Sequence, residues 1–377
     1  MHTEFPLADE IVHLNHAGVG PWPRRTIDAI ARFADENMRL GSRHYLRWLE
    51  VERDLREQLR WLINAPSADD VALLKNTSEA LSIVAYGIDW RSGDNVVTSR
   101  QEFPSNRIVW ESLAPRFGVE ARLADLNGGA TPEEALLAHV DKNTRLLSVS
   151  SVQYASGLRM DLDWLGEACR ARNVLFCVDA IQTLGAMPFD VQTCGADFVM
   201  ADGHKWMLAP EGVALFYCNP GRREQLRLSQ FGWHMVEDHN DYDRMDWQPA
   251  ASARRFEAGS ANNMGIHALN ASLSLLRKEG LSSIQEIISG NILYLHDSLQ
   301  DAGFEVITPR AAERRAGIIT FRHPRKDNRA IYEYLQSTGI LCARRAGGIR
   351  FSPHFYTPTE GLDRALNSLR QAVDVCG

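Results

Sequence analysis

Short, unbroken apolar runs punctuate the first two thirds of the chain: Val71-Ala72-Leu73-Leu74, Val96-Val97-Thr98, Leu146-Leu147-Ser148-Val149, Val174-Leu175-Phe176-Cys177-Val178 and Phe198-Val199-Met200-Ala201. Runs this short, without alternation, predict strands buried on both faces. Amphipathic stretches over 78–87, from 106 onward and over 162–171 separate them and predict helices. Val213-Ala214-Leu215-Phe216-Tyr217 reads as a strand returning along the same sheet. This βα alternation predicts an α/β fold, a mostly parallel central sheet with helices on both faces. Ahead of it, Leu14 to Pro21 reads as a loop. A helix over 26–40 is predicted to place Ile27, Ile30, Ala31, Ala34 and Met38 on one face, and a helix over 46–63 to repeat Leu49, Leu55, Leu59 and Leu62.

The last third changes period. Helices are expected over 264–276 and 281–299, joined at Glu279-Gly280. Short strands over 304–307, 317–321 and 340–342 follow, with helices over 328–338 and 358–373. The expected division is a large domain, 21–265, and a smaller C-terminal α/β domain, 266–377, with the N-terminal segment 1–20 associated with the latter.

Composition narrows the classes. With 377 residues, 45% hydrophobic and 24% charged, the chain suits a soluble two-domain protein. A net charge of −7, with Arg314-Arg315 and Arg344-Arg345 only as isolated basic pairs, argues against a nucleic-acid surface. No apolar run approaches the roughly 18 residues of a membrane span. The opening Met1-His2-Thr3-Glu4-Phe5-Pro6 lacks the regions of a signal peptide, so a cytoplasmic location is expected. Six scattered cysteines offer no CxxC pair and no metal-ligand spacing, which predicts buried small hydrophobes and no metal.

The chemistry concentrates where two predicted strands end. Cys177-Val178-Asp179 closes one on a carboxylate, and Ala201-Asp202-Gly203-His204-Lys205-Trp206 carries the next to a lysine 26 positions later, 205 minus 179. Ligands of open α/β sheets bind beyond the carboxyl ends of the strands. An acid and an amine on that rim supply what pyridoxal phosphate (PLP) needs: a Schiff-base lysine and a partner for the pyridinium nitrogen. Taken alone, Asp179 reads first as a helix N-cap before Ala180. Lys75-Asn76-Thr77-Ser78-Glu79 adds a strand end and a helix N-terminus, an anion site in which Thr77 or Ser78 is otherwise only a cap.

The block from Leu175 to Tyr217 resembles the class V aminotransferase superfamily, fold type I, which includes cysteine desulfurases, selenocysteine lyases, isopenicillin N epimerase and kynureninase; the likeness runs through most of the chain. It implies a PLP enzyme with Lys205 as Schiff-base lysine and Asp179 on the ring nitrogen. Thr77 and Ser78 would form the phosphate loop, with His204 helping to hold the phosphate. Gln182 and Gln153 would reach the phenolic oxygen, and Phe103 would stack on the ring. Arg255-Phe256-Glu257-Ala258-Gly259-Ser260 resembles the family motif whose last hydroxyl reaches the neighbouring subunit's cofactor, so Ser260 implies a homodimer with shared active sites. Gly348-Ile349-Arg350-Phe351-Ser352 resembles the segment whose arginine binds the substrate carboxylate, and His16 is a further candidate substrate contact.

Two departures bear on the reaction. Desulfurases carry a His-His pair aligned with Phe103-Pro104 and a persulfide-forming cysteine on a loop ahead of the arginine. Here Phe103 cannot move protons, and only seven residues separate Cys342 from Arg350. The resemblance thus implies chemistry at Cα of an amino-acid substrate through an external aldimine. Aminotransferase-type chemistry is the first expectation, C–S (β-elimination) lyase or amino-acid epimerase the alternative, and cysteine desulfurase is disfavoured.

Overall fold

The computed structural model describes residues 2–375, so Cys376 lies outside the described residues. Strands follow in chain order as β1 Val12–His13, β2 Val71–Leu74, β3 Asn95–Ser99, β4 Glu120–Ala124, β5 Thr144–Ser150, β6 Leu175–Asp179, β7 Phe198–Asp202 and β8 Ala214–Cys218. The C-terminal part adds β9 Glu305–Val306, β10 Ile319–Arg322, β11 Ile340–Leu341, β12 Ala343–Arg345 and β13 Gly348–Phe351.

A seven-stranded sheet in the order β2-β8-β7-β6-β5-β3-β4 forms the centre. Only β8 runs against its neighbours, pairing antiparallel with both β7 and β2. Every residue of β3, β7 and β8 is buried, as unbroken apolar runs require of strands covered on both faces. The strand β4 has no counterpart in the sequence reading. It lies at the sheet edge, where Glu120 and Arg122 alternate with small residues and nothing demands a continuous apolar run.

The smaller sheet, β12-β13-β10-β9, is antiparallel throughout. The N-terminal segment is stitched to it: β1 pairs parallel with β11, and Asn15 bridges Ser352. The helix Asn263–Glu279, expected to serve the small unit, packs along Arg24–Leu40 and Tyr45–Ile63 instead. Gly280, at φ 82, turns the chain into the next helix, Leu281–Asp301, which packs against the small sheet.

Helix Arg24–Leu40 forms, but its expected inner face does not. Thr26 and Ala29 are the buried positions, whereas Ile27 is 47% and Met38 75% exposed. Small residues let this helix approach Asn263–Glu279 closely, and the Thr26 hydroxyl donates to the Ala268 carbonyl at 3.4 Å. Tyr45–Ile63 keeps its expected face, with Leu55, Leu59 and Leu62 in the core.

Candidate active site

The sheet topology brings one polar group after another to a single rim. Ser99, Ser150, Asp179 and Asp202 are the last residues of β3, β5, β6 and β7, and Ser150 pairs in register with Asp179. Lys205 follows β7 by three residues, in a turn clamped from several sides. Gly20 donates its N–H to the His204 carbonyl at 2.8 Å, and a Cβ there would stand 2.5 Å from the Lys205 carbonyl oxygen. Gly185, at φ 100, lies as close to the Trp206 carbonyl, where a Cβ would sit at 2.3 Å. The Trp206 indole donates to Gln182 Oε1 at 2.9 Å, while His354 Nε2 donates to the Trp206 carbonyl at 3.1 Å. Gly203, between β7 and Lys205, reads as a residue that lets the backbone approach a ligand. Its Cα faces the Val213 carbonyl and Ala209 instead, so it serves strand packing.

Over this turn lie the other candidates. Lys205 Nζ stands 5.6 Å from the centroid of the Phe103 ring, which is 40% exposed and meets Tyr154 edge-on at 5.2 Å. Thr77 opens the helix Thr77–Gly87, and its hydroxyl accepts the Asp202 N–H at 3.1 Å, tying that helix N-terminus to the end of β7. Ser78 is exposed and donates to Ser105. His204 Nδ1 lies 3.1 Å from Asp202 Oδ1. From the small domain comes Arg350, only 1% exposed, whose Nη1 donates to the Tyr154 carbonyl at 2.7 Å and Nη2 to Asn15 Oδ1 at 3.2 Å.

A family model described as Aminotransferase class-V matches residues 12–364. The chain belongs to this family. It is 31% identical over 396 residues to a probable cysteine desulfurase of Methanothermobacter thermautotrophicus, across 98% of this chain and 97% of that one. A cysteine desulfurase of Escherichia coli O157:H7 is 27% identical over 356 residues, 90% of this chain and 86% of the relative. Among solved structures, the apo cysteine desulfurase of Thermococcus onnurineus NA1 superposes with a TM-score of 0.86 at 23% identity, covering 98% of this chain and 96% of that one. A cystine C–S lyase in complex with cysteine persulfide gives 0.88 at 23%, covering 96% and 98%. The fold is therefore that of fold type I PLP enzymes, and the chain is a PLP-dependent class-V enzyme.

The class-V residues fit that cofactor. Burial pushes the Asp179 carboxyl up to about 7, opposed by the Ile181 N–H and by Lys205 and reinforced by Glu102. Burial pulls the Lys205 ammonium down to about 8, with Asp179 acting against it and Arg350 with it. An amine that loses its proton this readily is a usable nucleophile and base. Gln153 donates from Nε2 to Glu102 at 2.8 Å, and its Oε1 is buried without a partner, a polar atom left for a ligand. Gln182, by contrast, is committed: besides Trp206 it holds the Ala17 carbonyl, at 3.1 Å.

Glu102 went unassigned in the sequence. Fully buried beside Asp179, it accepts from the Ser150 N–H at 3.0 Å, the Ser150 hydroxyl, Gln153 and Asn106. It thereby fixes the Gln153 and Asn106 side chains. The signal was its spacing from Asn106, four residues on across a helix start, but a carboxylate before an aromatic does not announce burial. Glu257 of the Arg255–Ser260 motif is likewise structural, taking two bonds from Arg56 (2.7 and 2.8 Å) and the Leu73 N–H. Ser260 itself is exposed.

His16 is fully buried, and both ring nitrogens are spent inside the fold: Nδ1 donates to the Ser352 carbonyl at 2.8 Å and Nε2 accepts from the Tyr356 hydroxyl at 2.5 Å. Burial, with His13 and His354 nearby, holds it neutral well below its ordinary pKa; burial holds His354 at about 4. Unfolding lets each bind a proton near pH 6.5, so this cost is absent above that pH and grows as pH falls. At pH 5 it amounts to about 2 kcal/mol per histidine. The melting temperature is therefore expected to drop clearly between pH 7 and pH 5. A flat profile would show these histidines protonated in the folded protein.

Proposed function

We propose that this protein is a PLP-dependent C–S lyase, which cleaves the Cβ–S bond of a sulfur-bearing amino acid and releases the sulfur to solution. The observation that carries this is the hairpin ahead of Arg350. It closes at Ala346-Gly347, directly between β12 and β13, leaving no loop to carry a sulfur-accepting thiol. Cys342 is buried, its thiol pushed up to about 12 by burial. The other described cysteines are buried as well, so among the described residues none is a ready nucleophile. Relatives named as desulfurases and a cystine lyase favour sulfur chemistry over the transamination first expected.

In this reading, bound PLP supplies an electron sink for bond breaking at Cα. Arg350 takes the substrate carboxylate through two parallel hydrogen bonds and so orients the Cα–H. Lys205 Nζ removes that proton, aided by its depressed pKa. Asp179 would hold a proton at the ring nitrogen, Phe103 would stack on the ring, and Gln153 rather than the committed Gln182 would meet its phenolic oxygen. Thr77, Ser78 and His204 would receive the phosphate. His16 supports Arg350 indirectly, through the loop that carries Asn15.

Incubating the PLP-loaded enzyme with cysteine and cystine tests this by following pyruvate, released sulfide or persulfide, keto-acid amination products and Cα inversion together. Equal yields of pyruvate and free sulfur are expected, with Cys342→Ser unaffected. Sulfur retained on the protein, or transamination or racemisation without pyruvate, would overturn it. We further propose a homodimer, supported by exposed Ser260 and by the exposed Phe231, Tyr242, Met245 and Trp247. Sedimentation as a monomer would exclude it.

A further inference from the structure

The β12–β13 hairpin carries a second arginine beside Arg350. In its antiparallel register Ala343 opposes Arg350 and Arg345 opposes Gly348. Directly opposed side chains share a face, as do residues two apart along a strand. Arg345 therefore lies on the same face as Arg350, with Arg344 and Ile349 on the other. That shared face looks onto the loop after Gln153. Thr320, opposite Arg350 on β10, donates to the Ala155 carbonyl at 2.6 Å, as Arg350 does to Tyr154. Gly348, opposite Arg345, has no side chain to fill the space.

Among the described residues neither guanidinium has an anionic partner. The hydrogen-bond partners of Arg350 are a carbonyl and an amide oxygen, and that of Arg345 is the Arg344 carbonyl at 2.8 Å. The Nε of each is buried with no partner at all. Like charges on one sheet face repel, and Arg345 adds to the burial that already lowers the pKa of Arg350. Its charge also acts in the same direction as Arg350 on Lys205, lowering the ammonium's pKa. One α-carboxylate, bound bidentately, satisfies one guanidinium and leaves the other uncompensated.

We infer that Arg345 forms a second anion subsite, and that the substrate is an amino acid with a second carboxylate at the far end of its side chain. A disulfide-linked or thioether-linked diacid has this chemistry. The inference rests on the C–S lyase reading for the linkage but not for the charge.

A matched pair separates the two: S-carboxymethylcysteine and S-methylcysteine, which differ in the distal carboxylate. Their binding to the PLP-loaded enzyme is measured by calorimetry, and pyruvate release is followed separately. The diacid is expected to bind about ten- to a hundredfold more tightly. Arg345→Gln, which keeps the side chain's bulk, and Arg345→Ala are both expected to bring that ratio to about one. Equal binding by the unaltered enzyme, a ratio that survives in both variants, or binding of neither compound would overturn the subsite. Discrimination without pyruvate from either compound would retire the lyase reading and leave the subsite standing.

Discussion

Lys205→Ala is expected to abolish turnover, lowering kcat by about 10⁴-fold or more, because one side chain serves as both cofactor anchor and proton shuttle. The same change removes the visible absorption that a lysine-bound PLP gives, so spectroscopy and kinetics report separately. The physical reason is burial. Lys205 is 9% exposed, and desolvation holds its ammonium near 8, where the neutral amine is within reach at physiological pH. Lys205→Arg keeps a charge but cannot deprotonate, so it is expected to be as inactive as the alanine variant. A Lys205→Ala protein that kept both band and activity would end the assignment of this amine. Its neighbour adds a signature: without the ammonium, Asp179 loses an opposing charge and its pKa climbs further.

Arg350→Ala is expected to cost on the order of 10²–10³-fold in kcat/KM, most of it in KM, the range for a charged partner of a substrate carboxylate. Arg350→Lys is expected to recover little, since a point charge cannot reproduce the planar pair of bonds. Stability separates this from damage to the fold. The free protein holds Arg350 buried among neutral oxygens, with no carboxylate to compensate it. Removing an uncompensated buried charge does not destabilise as breaking an ion pair does. Only a modest melting loss, from the two bonds to Tyr154 and Asn15, is thus expected while affinity collapses. An unchanged KM for every active amino acid would remove Arg350 from the carboxylate site. A large melting loss accompanying the activity loss would make it a structural residue.

The two arginines show how a site can be half legible. Arg350 stood out because its flanking residues match a family segment, yet an arginine on a short strand reads as a solvated charge until the fold buries it. Arg345 stood out only as half of a basic pair. Its place on the same face as Arg350 depends on the hairpin register, set by a turn in which Ala346 and Gly347 both take positive φ, at 50° and 72°. His16 went the other way. It was singled out as a loop residue over the site, and it is the buried pin between the N-terminal loop and Ser352. A polar residue in a Gly-rich loop carries no sign of whether another segment will cover it.

The helix Arg24–Leu40 teaches the same point about packing. Its apolar stripe is real, but Thr26 and Ala29 face inward because close helix contact favours small side chains over large ones. The strand β4 was missed because an edge needs only one covered side.

Asp179 and Lys205 could be paired from the chain alone because they follow unbroken apolar runs, and such runs have one physical solution: strands buried in a parallel sheet, with their carboxyl ends on one rim. Local pattern thus specified the fold class and a helix start beside Thr77, although Asn76 caps it rather than Thr77 or Ser78, while the family resemblance supplied the cofactor. What it could not specify were contacts between segments far apart in sequence: Gly20 and Gly185 against the Lys205 turn, Glu102 under Gln153, and the N-terminal loop held by Arg350 and Ser352. Those depend on which surfaces meet after the strands align. Periodicity records how a segment meets water and core, and carries no record of which distant segment it will touch.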